Sequence, residues 1–373
     1  MRIVLTGSST GGHFYPLIAV AQALREHARD ERIVNLELIM MGETPPEPGL
    51  LWEHDITFQH VPAGKVRRYI SLKNISDTFR TIRGIFQAIL LFTLKPPDVV
   101  FAKGGYDTFP ILIASRLFRV PVMIHESDAA PGVVNKWAGS FATRVAVAFP
   151  QAASFFAKEK TAVVGNPIRK SVLGGIKEEA LALFRFRSDL PVILVLGGSQ
   201  GARPLNDVII PMLAEALGEM QMIHQCGREL FPETLAEVDV VLEESPHRSR
   251  YRLLPFLDAG ELRNASRIAD VVVARSGSML FEIAAWNIPA LLIPLPHAAQ
   301  DHQRANAYAY ARSGAAEVIE EANLKPNLLL AEIRKLVSDK DRIRDMRLAA
   351  QKFARLDAAD KIAGELLKLG VHE

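Results

Sequence analysis

Two stretches decide the fold: Ile3-Val-Leu-Thr-Gly-Ser-Ser-Thr-Gly-Gly-His13 and Val192-Ile-Leu-Val-Leu-Gly-Gly-Ser-Gln-Gly-Ala202. Each starts as an apolar run, passes through a glycine-rich loop and continues into helical periodicity, the strand-loop-helix unit of a parallel sheet. A strand covered by helices on both faces needs apolar residues at successive positions, and both stretches supply them. They lie about half a chain apart, so two similar doubly wound domains are expected rather than one large sheet.

The same signature recurs outward from each. The first series of expected strands is Ile3–Leu5, Leu36–Met40, Asp98–Ala102, Pro121–His125, Arg144–Ala148 and Ala162–Val164. The second is Val192–Leu196, Met222–Gln225, Tyr251–Leu254, Asp270–Ala274, Ala290–Ile293 and Ala316–Ile319. Helical patterns separate them, which makes the class α/β. Gly165 to Leu190, with Pro167, Gly174 and Gly175, reads as the linker, and the chain beyond Lys325 reads as charged helix.

The chain has 373 residues, room for two ordinary cores. Its formal charge of +2 excludes an electrostatically driven nucleic-acid binder. The single cysteine, Cys226, excludes a disulfide framework and a cysteine-rich zinc site, and points to a reducing compartment. No secretory leader is expected at the amino terminus. The densest apolar run, Ile85–Leu94, is broken by Gln87 and Thr93 and is too short to span a membrane. A cytoplasmic protein is expected.

The loops carry the chemistry. Gly7 to His13 lacks the Lys-Ser/Thr of a P-loop, and Ser9 stands where a dinucleotide fingerprint needs its second glycine. It instead presents Thr10, backbone amides and His13 at a helix start, where an anion or developing alkoxide is stabilised. Gly197–Gly201 offers amides and the Ser199 hydroxyl to a phosphate. Arg275-Ser-Gly-Ser278 opens a helix containing Glu282, which reads either as a ribose ligand or as a solvated helix residue. His125-Glu126-Ser127-Asp128 and Lys103-Gly-Gly-Tyr106 follow strands where open α/β sheets bind ligands, although His125 could equally be a satisfied core histidine. His297, Asp301 and His302 have poor spacing for a metal site, and Asp339-Lys-Asp341 lies in the helical tail, so no metal is expected.

Lys65 to Lys95 carries Lys65, Arg67, Arg68, Lys73, Arg80, Arg83 and Lys95 against one acid, Asp77. Ile75, Phe79, Ile82, Phe86 and Ile89 recur at helical spacing. Such a helix either rests in an anionic membrane surface or packs its apolar face into the core. The pattern leaves both open.

Several motifs recur together in order: Thr10-Gly-Gly-His13 with Pro16 and Ala19, Gly104-Gly-Tyr106, His125-Glu126 with Pro131-Gly132 and Asn135, and Val164-Gly-Asn-Pro-Ile-Arg169. They continue through Leu196-Gly-Gly-Ser-Gln-Gly-Ala202, Ala269-Asp-Val-Val-Val, Glu282-Ile-Ala-Ala285, Pro289-Ala, Pro294 and Asp301-His-Gln303 with Asn306-Ala307. In these, over nearly its whole length, the chain resembles the MurG family of bacterial transferases, which add N-acetylglucosamine to the lipid-linked muramyl pentapeptide precursor of peptidoglycan. The resemblance implies a GT-B glycosyltransferase fold, two Rossmann-like domains facing across a cleft. Residues 1–168 would form the acceptor and membrane-associating domain, with a carboxy-terminal helix at about 348–373 packing back on it, and 169–347 the UDP-N-acetylglucosamine domain.

By the same resemblance Thr10, Gly11, Gly12, Arg169, Ser199, Leu257 through its backbone, Ser278, Met279, Glu282 and Gln303 would contact the donor. His13, Tyr106, Glu126, Asp128 and Asn135 would line the acceptor side. The partners implied are UDP-GlcNAc, lipid I and the anionic cytoplasmic face of the inner membrane, with no metal or other cofactor. His13 is the expected general base, with Glu126 as rival. Arg169, Ser199 and the helix after Gly277 would hold the leaving diphosphate, and in-line attack would invert the donor linkage. The chain departs from the family at Ser8-Ser9, where two glycines are usual, at Ser127-Asp128, where Gln-Asn is commonest, and at Met279, near a usual threonine. Rival readings are a GT-B transferase on another lipid, a UDP-GlcNAc 2-epimerase-like isomerase and, more remotely, a nicotinamide oxidoreductase or a pure binding module.

Overall fold

In a computed structural model that describes residues 1–65, 73–198 and 201–371, the chain forms two compact units. The first comprises Met1–Arg169 together with the segment from Arg355 onward, and the second Lys170–Ala354. Among the described residues the first holds β1 (Arg2–Thr6), β2 (Glu37–Gly42), β3 (Ile56–His60), β4 (Val99–Ala102), β5 (Val122–Glu126), β6 (Arg144–Val147) and β7 (Thr161–Val163). The second holds β8 (Val192–Leu196), β9 (Gln221–Gln225), β10 (Tyr251–Leu254), β11 (Val271–Ala274), β12 (Ala290–Leu292) and β13 (Ala316–Val318).

Both sheets are parallel, in the orders β3-β2-β1-β4-β5-β6-β7 and β10-β9-β8-β11-β12-β13. This is the doubly wound order, in which chain direction reverses beside the first strand and opens a crevice at the strands' carboxyl ends. Ile3, Val4 and Leu5 are fully buried, as are Ile193, Leu194 and Val195, because helices cover both faces. One local device appears twice. Arg2 donates its backbone N–H to Asp98 Oδ2 at 2.6 Å and accepts the Asp98 N–H at 2.9 Å. Val192 and Asp270 make the same pair at 3.0 and 2.8 Å. In both units the aspartate before the fourth strand satisfies the first strand's leading amide, so the sequence echo is also an echo of hydrogen bonding.

Three expectations need correction. β3 was not foreseen, because on this edge strand only Ile56 is buried and the continuous apolar run is missing. The expected linker is partly structured: Lys177–Phe184 is a helix of the second unit with Ala180 and Phe184 buried, and the units divide at Arg169–Lys170. The carboxy-terminal helix is two helices, Lys340–Phe353 in the second unit and Ala358–Gly370 in the first, broken at an extended Ala354.

The last helix lies along Gly11–Asp30 and buries Ile362, Ala363, Leu366 and Leu367 in the core that contains Leu17, Ala21 and Leu24. Burying Ile362, Leu366 and Leu367 is worth about 1.5–3 kcal/mol each before ordering costs. That helix therefore fixes the one that begins at the first glycine loop.

Candidate functional site

In the first unit the Gly7–Thr10 loop ends at an extended Thr10, whose carbonyl accepts the amides of His13 and Phe14 at 3.0 Å each. The exposed Thr10 side chain makes no capping bond. At Gly11 a Cβ would strike the Tyr15 ring. His13 therefore sits on the first turn of Gly11–Asp30, half-buried, with Nδ1 3.1 Å from the Lys103 carbonyl oxygen. A carbonyl only accepts, so Nδ1 carries a proton, and in the neutral ring Nε2 is then the basic nitrogen.

Lys103 has no exposed surface, and its Nζ donates to His125 Nδ1 and to Asn166 Oδ1, both at 2.8 Å. His125 Nε2 donates to the Gly165 carbonyl at 2.8 Å, which makes His125 neutral and fully used. Burial and the Lys103 charge hold its pKa well below the usual histidine range. Burial also pushes Lys103 down to about 7, against the pull of Glu126 and Asp128. This is the satisfied core histidine, one of the two readings open for it.

Glu126 is 3% exposed, and its carboxylate is surrounded by donors. Oε1 accepts the Asp128 N–H at 2.9 Å, while Oε2 accepts the Gly132 N–H at 3.0 Å and Asn135 Nδ2 at 2.9 Å. Burial and the neighbouring Asp128 charge raise it to about 7, the three donors opposing. Asn135 also donates to the His125 carbonyl and packs against Gly104, where a Cβ would clash with its amide. Tyr106 follows Gly104 and Gly105, both at positive φ, and is raised to about 12 by burial and the charge of Asp107. Buried Asp107 accepts the Ser9 N–H at 2.9 Å and so ties the first glycine loop to the Tyr106 turn. Buried Arg169 stacks its guanidinium 3.8 Å over the Tyr15 ring.

On the same unit the helix Lys73–Leu94 turns its apolar stripe outward. Ile75, Phe79, Ile82, Phe86, Leu90 and Leu94 are exposed, whereas Ala88 and Phe92 face the core. Ile89, expected on the stripe, is half-buried against the core, and Leu90 and Leu94 continue the outer face instead. At Gly84 a Cβ would run into the Pro62 carbonyl, so this helix approaches the loop after β3 backbone to backbone and cannot rotate its stripe inward. Exposed Leu117 and Phe118 widen the patch, Phe118 lying 6.0 Å from the Phe92 ring. Arg83 and Lys95 are exposed on its flanks, and Arg80 pairs with Glu43 at 2.8 Å. Arg67, Arg68, Tyr69, Ile70 and Leu72 lie outside the described residues. Among the described residues no helix is long and apolar enough to cross a membrane.

In the second unit the loop after β8 has Gly198 and Gly201 at positive φ, and a Cβ on Gly201 would meet the Cys226 carbonyl. Ser199 lies outside the described residues. Gln225, not foreseen as functional, spans two loops: Nε2 donates to the Gly198 carbonyl at 3.0 Å and Oε1 accepts the Leu257 N–H at 3.0 Å. The amide of Leu257 is thus occupied. Glu282 is 7% exposed on the short helix Met279–Ala285, so the solvated reading is wrong. Ser278 and Met279, both half-buried, begin that helix. Ser276 Oγ donates to the Gln303 carbonyl at 2.7 Å, and Gln303 Oε1 accepts the Leu295 N–H at 3.0 Å, which joins the turn after β11 to the loop after β12. In that loop His297, Gln300 and Asp301 all take left-handed φ of 55–59°, backbone strain of the kind found where a loop must present itself to a ligand. Arg275 is spent on Glu321 and the Ile293 carbonyl, and Asp339 caps the helix Lys340–Phe353.

Residues 3–147 match the glycosyltransferase family 28 N-terminal domain and residues 192–362 the family 28 C-terminal domain. The UDP-N-acetylglucosamine–N-acetylmuramyl-(pentapeptide) pyrophosphoryl-undecaprenol N-acetylglucosamine transferase of Lachnospira eligens is 35% identical over 364 residues, 97% of each chain. The transferase of the same name from Clostridium botulinum is 31% identical over 370 residues, 98% of each. The crystal structure of Acinetobacter baumannii MurG superposes with a TM-score of 0.73 at 25% identity, covering 98% of this chain and 99% of that one. A UDP-GlcNAc 2-epimerase from Neisseria meningitidis, bound to UDP-GlcNAc, gives 0.71 at 14% identity over 99% and 100%, a likeness of fold.

Proposed function

The chain belongs to glycosyltransferase family 28, among the UDP-GlcNAc-dependent transferases that its relatives represent, and from that premise we infer its reaction. It moves N-acetylglucosamine from UDP-GlcNAc to the 4-hydroxyl of the muramyl sugar of lipid I and so forms lipid II for peptidoglycan. Its two parallel-sheet α/β units are those of a GT-B transferase.

The observation that carries the mechanism is the His13 tether. With Nδ1–H held by the Lys103 carbonyl, Nε2 is the ring's proton acceptor, oriented by a bond that acceptor binding need not make. His13 takes the proton from the muramyl 4-hydroxyl as that oxygen attacks the anomeric carbon of the donor from the face opposite UDP, which turns an α donor into a β linkage. Glu126 is less suited to the role, because both its oxygens are engaged by N–H donors and proton uptake there would cost a bond. It orders Asn135 and the loop carrying Asp128 on the acceptor side, next to Tyr106.

On the donor side Glu282 grips the ribose hydroxyls and the Leu257 backbone meets the base through its carbonyl, the amide being held by Gln225. In the second unit the Ser199 loop, the turn at Ser278–Met279 and Gln303 take the diphosphate and sugar; the donor contacts supplied by the first unit are Thr10, Gly11, Gly12 and Arg169. Positive groups and amides there hold the charge that develops on UDP. No metal is required in this account.

The outward apolar stripe with basic flanks would rest in the anionic inner leaflet and bring the site to its lipid acceptor. Transfer of labelled GlcNAc to a lipid I analogue by the purified protein tests the reading; free epimer without transfer would overturn it.

A further inference from the structure

The mechanism above uses the Lys103 carbonyl but not its side chain, and that side chain is costly. An amine with no exposed surface gives up its hydration, a loss that only its bonds can return. Its bonds close a ring through the first unit. Lys103 N–H donates to the Thr6 carbonyl of β1 at 2.8 Å, and its own carbonyl accepts His13 Nδ1–H at 3.1 Å. Its Nζ reaches His125 Nδ1 and Asn166 Oδ1, each at 2.8 Å, and His125 is in turn anchored on the Gly165 carbonyl. Three residues past Asn166, Arg169 lies flat over the ring of Tyr15, two residues past His13. The path Lys103–His13–Tyr15–Arg169–Asn166–Lys103 is therefore continuous, and Nζ closes it.

We propose that the Lys103 side chain is a positioning residue for glycosyl transfer, holding the His13 ring and the Arg169 plane in register through its bonds to His125 and Asn166. An apolar side chain of similar length would fill the same space yet leave His125 Nδ1 and Asn166 Oδ1 without their donor. The segment Gly165–Arg169 and the end of β4 would then move independently. The proposal rests on His13 as the base only for its effect on rate; its effect on ring geometry stands apart.

The test compares Lys103→Met, Asn166→Ala and Asn166→Asp. Lys103→Met should lower kcat about tenfold or more and leave the KM for UDP-GlcNAc within about twofold; nitrogen-15 ring NMR should show one His13 tautomer in the wild type and a mixture in the variant. Asn166→Ala should act in the same direction, Asn166→Asp should retain activity because an oxygen acceptor remains, and the double variant should be no worse than Lys103→Met alone. Wild-type kcat with an unchanged His13 signal in Lys103→Met would overturn the proposal, as would effects of the two sites that simply multiply. Should Lys103→Met fail to fold, the contrast between Asn166→Ala and Asn166→Asp decides it. Should His13→Ala keep full activity, the base assignment fails while the NMR comparison still decides the positioning role.

Discussion

Removing the two aromatic rings on the outer stripe should detach the protein from membranes without touching its fold. Phe79 and Phe86 are 68% and 69% exposed. Full burial of such a side chain is worth about 1.5–3 kcal/mol, so moving the exposed two-thirds from water into the lipid interface is worth about 1–2 kcal/mol per ring. Phe79→Ala with Phe86→Ala should therefore weaken binding by about 2–4 kcal/mol, roughly 30- to 700-fold. Because neither ring packs inside, the thermal midpoint should stay within about 2 °C of wild type. The charge arm uses Arg83→Glu with Lys95→Glu and leaves Arg80 alone, because Arg80 is paired with Glu43. At about 1 kcal/mol per basic residue it should cost at least ~2 kcal/mol at low salt and far less in ~0.5 M salt, where screening takes over. Co-sedimentation with vesicles containing about 30% anionic lipid reads both arms. Partitioning of the double alanine variant within twofold of wild type would refute the reasoning.

Other outcomes follow from the site. His13→Ala should lower kcat by about 10²-fold or more with UDP affinity nearly intact, measured by steady-state kinetics and calorimetry; comparable activity would return the base role to Glu126. Glu282→Ala should raise the KM for UDP-GlcNAc at least about tenfold if this buried carboxylate grips the ribose as proposed, while the acceptor KM holds. Stability should depend on pH through Lys103. Its folded value of about 7 lies below that of the unfolded chain, so between pH 7 and about 10.5 the unfolded state binds the extra proton. The wild type should then gain stability relative to Lys103→Met as pH rises through that window, by at most about 1.4 kcal/mol per unit in denaturant titrations, and a flat difference would contradict it.

How much of this was legible in the sequence depended on how local the signal was. The doubly wound order follows from glycine loops placed after continuously apolar strands, and twelve expected strands overlap strands of the structure. β3 escaped because Ile56-Thr-Phe-Gln-His60 is a half-exposed edge. On Lys73–Leu94, helical spacing showed that one face is apolar but not which way it turns. That is decided by the backbone approach at Gly84, and it moved Ile89 inward and Leu90 outward. The positions of His13, Glu126 and Glu282 next to strand ends were readable, which made them candidates. Their partners were not, since Lys103 meets His125 and Asn166 across 22 and 63 residues, and Gln225 joins Gly198 to Leu257 from a strand end. Lys103 carried one signal, a lysine immediately before Gly104-Gly-Tyr106 at a strand's carboxyl end.

The central claim is tested most directly by incubating the purified protein with radiolabelled UDP-GlcNAc and a short-chain lipid I analogue and analysing the products. The account predicts a β-linked disaccharide lipid with one equivalent of UDP released per transfer, and loss of that product in His13→Ala. UDP-ManNAc in place of any labelled lipid, or a product with the α linkage retained, would contradict it.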